Sequence, residues 1–334
     1  MLGNLWVRTK ALVAGLFRHE PAPGRFESGS KFSIHGMVGS APFVWPSRDY
    51  LVYVPKGRSV WRRAPLLVLC HGCKQTPEEI AQATRITDLA DRMGFIVLLP
   101  RQKDAANPWR CWNWFDKRTM QGKGEAAIVA AQIRSVRRAY RADRRRILVA
   151  GMSAGGALAA VLGVHFPGLV AAVAVHSGLA CGAASSALKA LSVMQHGPDQ
   201  DVDQIATAAR EAVRPRTLRV PLLALHGGAD NVVAPRNAVA LVHQYLTLNG
   251  HAAANSTDRS RLPPADTERR TVLAGGRTEV VSEWRREGRL VARYVEIIGL
   301  GHAWSGGDPA LPYNDAGPPD ATALVGDFFA DALS

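Results

Sequence analysis

The chain has 334 residues, 47% hydrophobic and 21% charged, which supports a sizeable core and excludes a largely disordered chain. The length fits one large domain or two small ones. Lysine and arginine total 41 against 28 acidic residues, a net charge of +13, but the positives are scattered and no nucleic-acid module accompanies them, so they read as a solvated basic face.

Residues 1–45 read as a leader followed by early strands. Arg8 and Lys10 precede a short apolar run, residues 11–17. The run is too short to span a membrane and lacks a small-residue cleavage site, so an amphipathic helix is expected there. Residues 50–54 are β-rich, and residues 66–69 form a compact apolar strand. Residues 78–93 predict a single helix, with Thr76 as N-cap, Pro77 in the first turn and Gly94 as the stop. Residues 95–99 are the next strand. Residues 104–124 form a polar, tryptophan-rich connection. Between 125 and 140, Val129, Ile133, Val136 and Tyr140 recur on one helical face.

Residues 147–150 predict a strand and 154–165 a helix. Residues 170–175, 222–225 and 291–298 are further strands. Residues 182–217 look helical and cap-like, and 249–272 look like a polar insertion. Apolar strands alternating with helices predict an α/β fold: a mostly parallel sheet with helices on both faces, in one catalytic domain over residues 46–334.

Gly151-Met152-Ser153-Ala154-Gly155 lies between a predicted strand and a predicted helix. That context makes the motif a nucleophile elbow of the α/β-hydrolase type, with Ser153 as nucleophile. Serine needs a base, and His302, on a loop after the last strong strand, is the expected one. Asp230 follows the strand at 222–225 and precedes the base in chain order, so it is the expected orienting carboxylate. Asp308 would invert that order, and Asp199, Asp201 and Asp203 have no strand-end placement. His165 and His176 read as packing residues or as supports behind the catalytic groups, and His226 as a strand-end neighbour of Asp230. The backbone N–H groups of Ala154 and Cys73 are the expected oxyanion donors, with Gly72 permitting close approach and His71 bracing the loop. Trp112, Trp114 and Trp304 are expected to line the substrate site. No metal-ligand spacing is present, and the chemistry requires neither metal nor organic cofactor. A Cys73–Cys111 disulfide depends on the compartment.

Taken in order, residues 69–75, 111–115, 151–156, 176–179 and 301–307 carry a family resemblance. The motifs are Leu-Cys-His-Gly-Cys-Lys-Gln, Cys-Trp-Asn-Trp-Phe, Gly-Met-Ser-Ala-Gly-Gly, His-Ser-Gly-Leu and Gly-His-Ala-Trp-Ser-Gly-Gly. Over residues 25–310 the chain resembles the poly(3-hydroxybutyrate) depolymerase family of esterases, together with its feruloyl and acetylxylan esterase relatives. The resemblance implies an α/β-hydrolase fold, a triad falling on Ser153, Asp230 and His302, and pairing of Cys73 with Cys111. It implies an ester substrate, above all hydroxyalkanoate polymer or oligomers, and an extracellular or periplasmic enzyme. The weak leader leaves a cytoplasmic location open. The lack of a substrate-binding domain after the catalytic region favours soluble oligomers or small esters. A carbohydrate esterase and an acyltransferase are the alternatives.

Overall fold

Strands that are apolar along their whole length must be covered on both faces. The computed structural model describes residues 23–59, 61–198, 202–211, 219–256 and 258–333. The expected leader helix, Asp199 and Asp201 lie outside them. The strands are β1 (Arg25–Phe32), β2 (Ser47–Val54), β3 (Leu66–Cys70), β4 (Ile96–Pro100), β5 (Ile147–Met152), β6 (Ala172–His176), β7 (Leu222–Gly227), β8 (Thr267–Val272), β9 (Thr278–Arg286) and β10 (Arg289–Ile297). They form one sheet in the order β1-β2-β4-β3-β5-β6-β7-β10-β9-β8. The central run from β4 to β10 is parallel. Antiparallel pairs extend it at both edges.

Alternate residues of each central strand enter opposite core layers. In β3, Leu66, Val68 and Cys70 join one layer, and Leu67 and Leu69 the other. The helices divide accordingly. On one side lie α1 (Pro77–Thr84), α2 (Ile86–Met93) and, much later in the chain, the C-terminal helix Ala321–Ala332. The other side is covered by α4 (Gly124–Ala139), which the short α3 (Lys117–Met120) adjoins, and by α5 (Ala154–His165), α6 (Ala187–His196), α7 (Val202–Glu211) and α8 (Arg236–Leu248). The C-terminal helix is α9.

The single helix expected over 78–93 is two. Thr76 is the N-cap as expected and forms a capping box with Glu79, and Gly94 ends α2 at φ 70°. Between them Arg85 adopts a left-handed conformation, φ 51°. The break frees carbonyls at the end of α1. Asp308 N–H donates to Ala83 O at 2.9 Å, and Arg85 reaches back to the Gly306 and Gly307 carbonyls. A distant loop therefore fixes the kink, a cause invisible in local periodicity.

Residues 249–272 are not wholly an excursion. Thr267–Val272 form the edge strand β8, almost entirely exposed, which is why no apolar alternation marks it. Its antiparallel partner β9 is a second strand that the sequence pattern does not predict.

One buried polar network ties the sheet edge to the tryptophan-rich loop. Arg48 Nη2 donates to Glu125 Oε1 at 3.0 Å and Arg48 Nε to Gln102 Oε1 at 2.7 Å. Glu125 also accepts from Gln102 Nε2 and from Asn113 N–H, each at 2.6 Å. Both charged side chains are buried. Removing one partner leaves the other charge buried and uncompensated, a loss of about 3–5 kcal/mol. Glu125→Ala should therefore lower the urea midpoint sharply. A midpoint matching the parent's would contradict this role.

Candidate active site

β5 passes into α5 through one residue. Ser153 has φ 56° and ψ −123°, a backbone state costing a non-glycine residue on the order of 1–3 kcal/mol. Its surroundings enforce that state. Ser153 N–H donates to His176 O at 2.9 Å, and Ser153 O accepts from Ala157 N–H at 3.0 Å. A Cβ on Gly151 would stand 2.3 Å from Gly155 O, and one on Gly155 2.2 Å from Cys70 O. Only glycine fits at either position, and the turn sets the serine at the start of α5, on the C-terminal rim of the parallel strands.

Two strands along, β7 runs into the turn that carries Asp230. Asp230 Oδ1 accepts from Val232 and Val233 N–H at 3.0 and 2.8 Å. Its Oδ2 lies 2.8 Å from His302 Nδ1. Burial would raise the Asp230 pKa, but the hydrogen bond and charge of His302 and the Val233 N–H outweigh it and hold the carboxyl at about 2. An ionised carboxylate only accepts hydrogen bonds, so His302 Nδ1 carries the proton and Nε2 presents its lone pair. The loop bearing His302 is pinned to the aspartate turn, with Ala229 N–H donating to Leu300 O at 2.9 Å. His226 lies 3.6 Å from Asp230 Oδ2 and hydrogen-bonds Val233 O at 2.7 Å; burial lowers its pKa, and it braces the turn. Asp308 sits at the end of α1 instead, away from the imidazole.

The loop after β3 carries Cys73, whose N–H is the expected second donor. His71 is buried, and burial pushes its pKa down to about 4. Its Nδ1 faces Gly72 O at 2.8 Å, and its Nε2 accepts from Gln102 N–H at 3.2 Å, so it braces the loop as expected. A Cβ on Gly72 would lie 3.6 Å from Ser153 Cβ, which places the loop beside Ser153. Among the described residues, the Cys73 and Ala154 N–H groups donate to no protein acceptor. A disulfide joins Cys73 to Cys111, 38 positions along the chain.

Of the three expected triad residues, the structure joins Asp230 and His302 directly and sets Ser153 on the same rim. No hydrogen bond links Ser153 Oγ to His302 Nε2 among the described residues. In unliganded sites that contact often tightens only with substrate bound. His176 spans the gap: its carbonyl holds Ser153, and its ring stacks on Trp304 at 5.1 Å, two residues beyond His302. Burial keeps His176 neutral, its pKa lowered to about 3. This is the supporting place expected of a histidine at the end of the strand beside β5. The three tryptophans expected as substrate walls are buried. Trp112 Nε1 donates to His71 O at 3.1 Å, so it supports the oxyanion-side loop from beneath. Trp109 of the same loop is the open one, 60% exposed.

The sheet order and the strand–serine–helix turn define an α/β-hydrolase. The sequence model described as Esterase PHB depolymerase matches residues 48–267, and the chain belongs to that family, a class of serine-type carboxylic ester hydrolases. Poly(3-hydroxyalkanoate) depolymerase C of Paucimonas lemoignei is 29% identical over 274 residues, 81% of this chain but 62% of that protein, so the chain spans less than two thirds of this relative. Feruloyl esterase B of Neurospora crassa is 28% identical over 206 residues, 59% of this chain and 69% of that one. Among solved structures, an acetyl xylan esterase from Aspergillus awamori superposes with a TM-score of 0.66 at 18% identity, covering 83% of this chain and 94% of that one; this likeness shows the fold.

Two predictions follow from the geometry. Gly155→Ala must displace the Cys70 carbonyl, so the variant should lose soluble expression or activity; parent-like turnover would contradict the close approach. Asp230 is depressed on folding, so its stabilising effect is present above the unfolded carboxylate range, about 3.9, and is lost as pH falls through about 2. The stability gap between the parent and Asp230→Asn, read from denaturant midpoints, should close below about pH 4. A gap independent of pH would count against the assigned ionisation.

Proposed function

We propose that the protein is a serine esterase cleaving short-chain polyhydroxyalkanoates, 3-hydroxybutyrate polymer or oligomers, through an acyl-enzyme. The observation that carries the reading is the 2.8 Å Asp230–His302 pair on the rim that holds the strained serine. His302 Nε2 takes the Ser153 proton as Oγ attacks the ester carbonyl. The Ala154 and Cys73 N–H groups receive the resulting oxyanion, and Asp230 stabilises the imidazolium. The C–O bond to the leaving alcohol breaks, and His302 passes its proton to that oxygen. Water then repeats the sequence, releasing the acid and restoring the serine. The reaction needs no other reactant. The Cys73–Cys111 disulfide supports an oxidising compartment.

A second reading, esterase action on feruloyl or acetyl sugar esters, is supported by the feruloyl esterase similarity. Both readings use the same residues and differ in the alcohol side. Ser153→Ala and His302→Ala should each reduce kcat on p-nitrophenyl butyrate by about three or more orders of magnitude, with the fold intact by circular dichroism. Near-parent turnover in either would end the assignment. On a panel with hydroxybutyrate oligomers, methyl ferulate and acetylated xylan, the oligomers should give the highest kcat/KM; a higher value on either of the others favours the second reading.

A further inference from the structure

Beyond His302 the chain folds back on itself. β11 (Trp304–Ser305) pairs with β12 (Asn314–Asp315), Trp304 opposite Asn314 and Ser305 opposite Asp315. Trp304 N–H donates to Tyr313 O at 2.8 Å, Gly307 N–H to Asp315 O at 3.0 Å and Gly306 N–H to Gly317 O at 2.9 Å. Arg277, immediately before β9, clamps the ladder. Its Nη1 and Nη2 donate to Asp315 Oδ1 and Oδ2 at 2.7 and 3.0 Å, and Nη1 also donates to Pro318 O at 3.1 Å. The returning segment sets a tyrosine against the imidazole. Tyr313 meets His302 in a T-shaped contact, with ring centroids 6.2 Å apart and planes at 80°.

Two features set Tyr313 apart from the other rings around the site. Its backbone is left-handed, φ 62°, a state that a bulky residue keeps only where its surroundings impose it. The Trp304 N–H bond and the β11–β12 pairing impose it here. Tyr313 is also 36% exposed, whereas Trp112, Trp114 and Trp304 are buried. Among the described residues it is the one aromatic ring that both packs against a member of the proposed triad and meets solvent. Asp230 takes the Nδ1 edge of His302, so the substrate is met through Nε2. In the mechanism proposed above, the ester C–O bond breaks as Nε2 gives its proton to the leaving oxygen, which then lies about 3 Å from Nε2. The carbon on that oxygen is one bond further on, within reach of a ring packed against the imidazole. After this step the alcohol is gone, and water takes its place beside Nε2.

We propose that Tyr313 is a specificity-determining residue for the alcohol half of the ester, whose leaving group packs on its ring while His302 protonates the oxygen. The proposal rests on the esterase reading above and deepens it by naming the residue that selects the alcohol. An alcohol with an apolar or aromatic body, which the ring can cover, is favoured over ethanol. The contact exists only while the alcohol is bound, so Tyr313 acts on acylation and not on deacylation. A residue that merely held His302 in place would affect both, because the imidazole works in both steps.

The test varies the two halves of the ester separately. Tyr313→Ala should lower the ratio of kcat/KM on benzyl butyrate to that on ethyl butyrate about fivefold. Tyr313→Phe, which keeps the ring, should retain the parent's ratio. Relative values along ethyl acetate, butyrate and hexanoate should match the parent's in both variants. So should the deacylation rate constant, read from single turnovers of p-nitrophenyl butyrate. If Tyr313→Ala does not fold, Tyr313→Gly, which suits the left-handed backbone, carries the same expectations. An unchanged benzyl-to-ethyl ratio overturns the proposal, as does a shift along the acyl series in its place. Deacylation slowed by the same factor overturns it in favour of a prop for His302. A Phe variant that behaves as Ala overturns it in favour of the hydroxyl. Parent-rate turnover by Ser153→Ala is a different failure: it removes the acyl-enzyme, and with it both the esterase reading and this proposal, whereas the other outcomes leave that reading intact.

Discussion

At Ser153 the chain turns from strand to helix in one residue, and everything around the site is arranged to hold that turn. The backbone there is unfavourable by itself, so neighbours must supply the restraint. They do so through the His176 carbonyl and through two glycines packed against main chain where no Cβ fits. The result is a hydroxyl fixed at the rim of a rigid sheet and a free N–H at the start of a helix. Strands β6, β7 and β10, packed side by side, then bring His176, Asp230 and His302 to the same rim from segments far apart in sequence.

The second half of the site is held less by the sheet than by a chain of buried polar contacts. Arg48, Glu125, Gln102 and Asn113 form one network. Gln102 also contacts His71, and Trp112 donates to the His71 carbonyl. With the Cys73–Cys111 disulfide, this network holds the loop that presents the Cys73 N–H. Oxyanion donors are effective only when they already point at the developing charge, so under the proposed mechanism the network's contribution is preorganisation. The same loop is tied to the β1–β2 connection, where Ser40 N–H donates to Asp116 Oδ2.

Much of this was legible in the sequence. Central strands are apolar throughout and bounded by turn residues, so the parallel sheet and the elbow could be read directly. The contact between Asp230 and His302 agrees with their chain order and strand-end positions. What escaped depended on tertiary contacts. The kink at Arg85 is set by a loop more than two hundred residues away. β8 is an exposed edge strand and β9 its partner, and charged residues hide their pairing. Tryptophans in a polar loop suggested substrate walls, yet Trp112, Trp114 and Trp304 are buried in the core layers; large rings also satisfy a core when their N–H finds an acceptor, as Trp112 does at His71 O and Trp304 at Thr322 Oγ1. No local pattern marks Tyr313, since its contact with His302 comes from a segment that folds back through the β11–β12 pairing.

The account stands on Ser153 being the group that becomes acylated, with His302 activating it. The most direct measurement is the mass of the active-site peptide after reaction with an alkyl fluorophosphonate. The account predicts one adduct, on the peptide containing Ser153, formed rapidly in the parent and far more slowly in His302→Ala. An adduct on another residue, or labelling at the parent's rate without the imidazole, would contradict it.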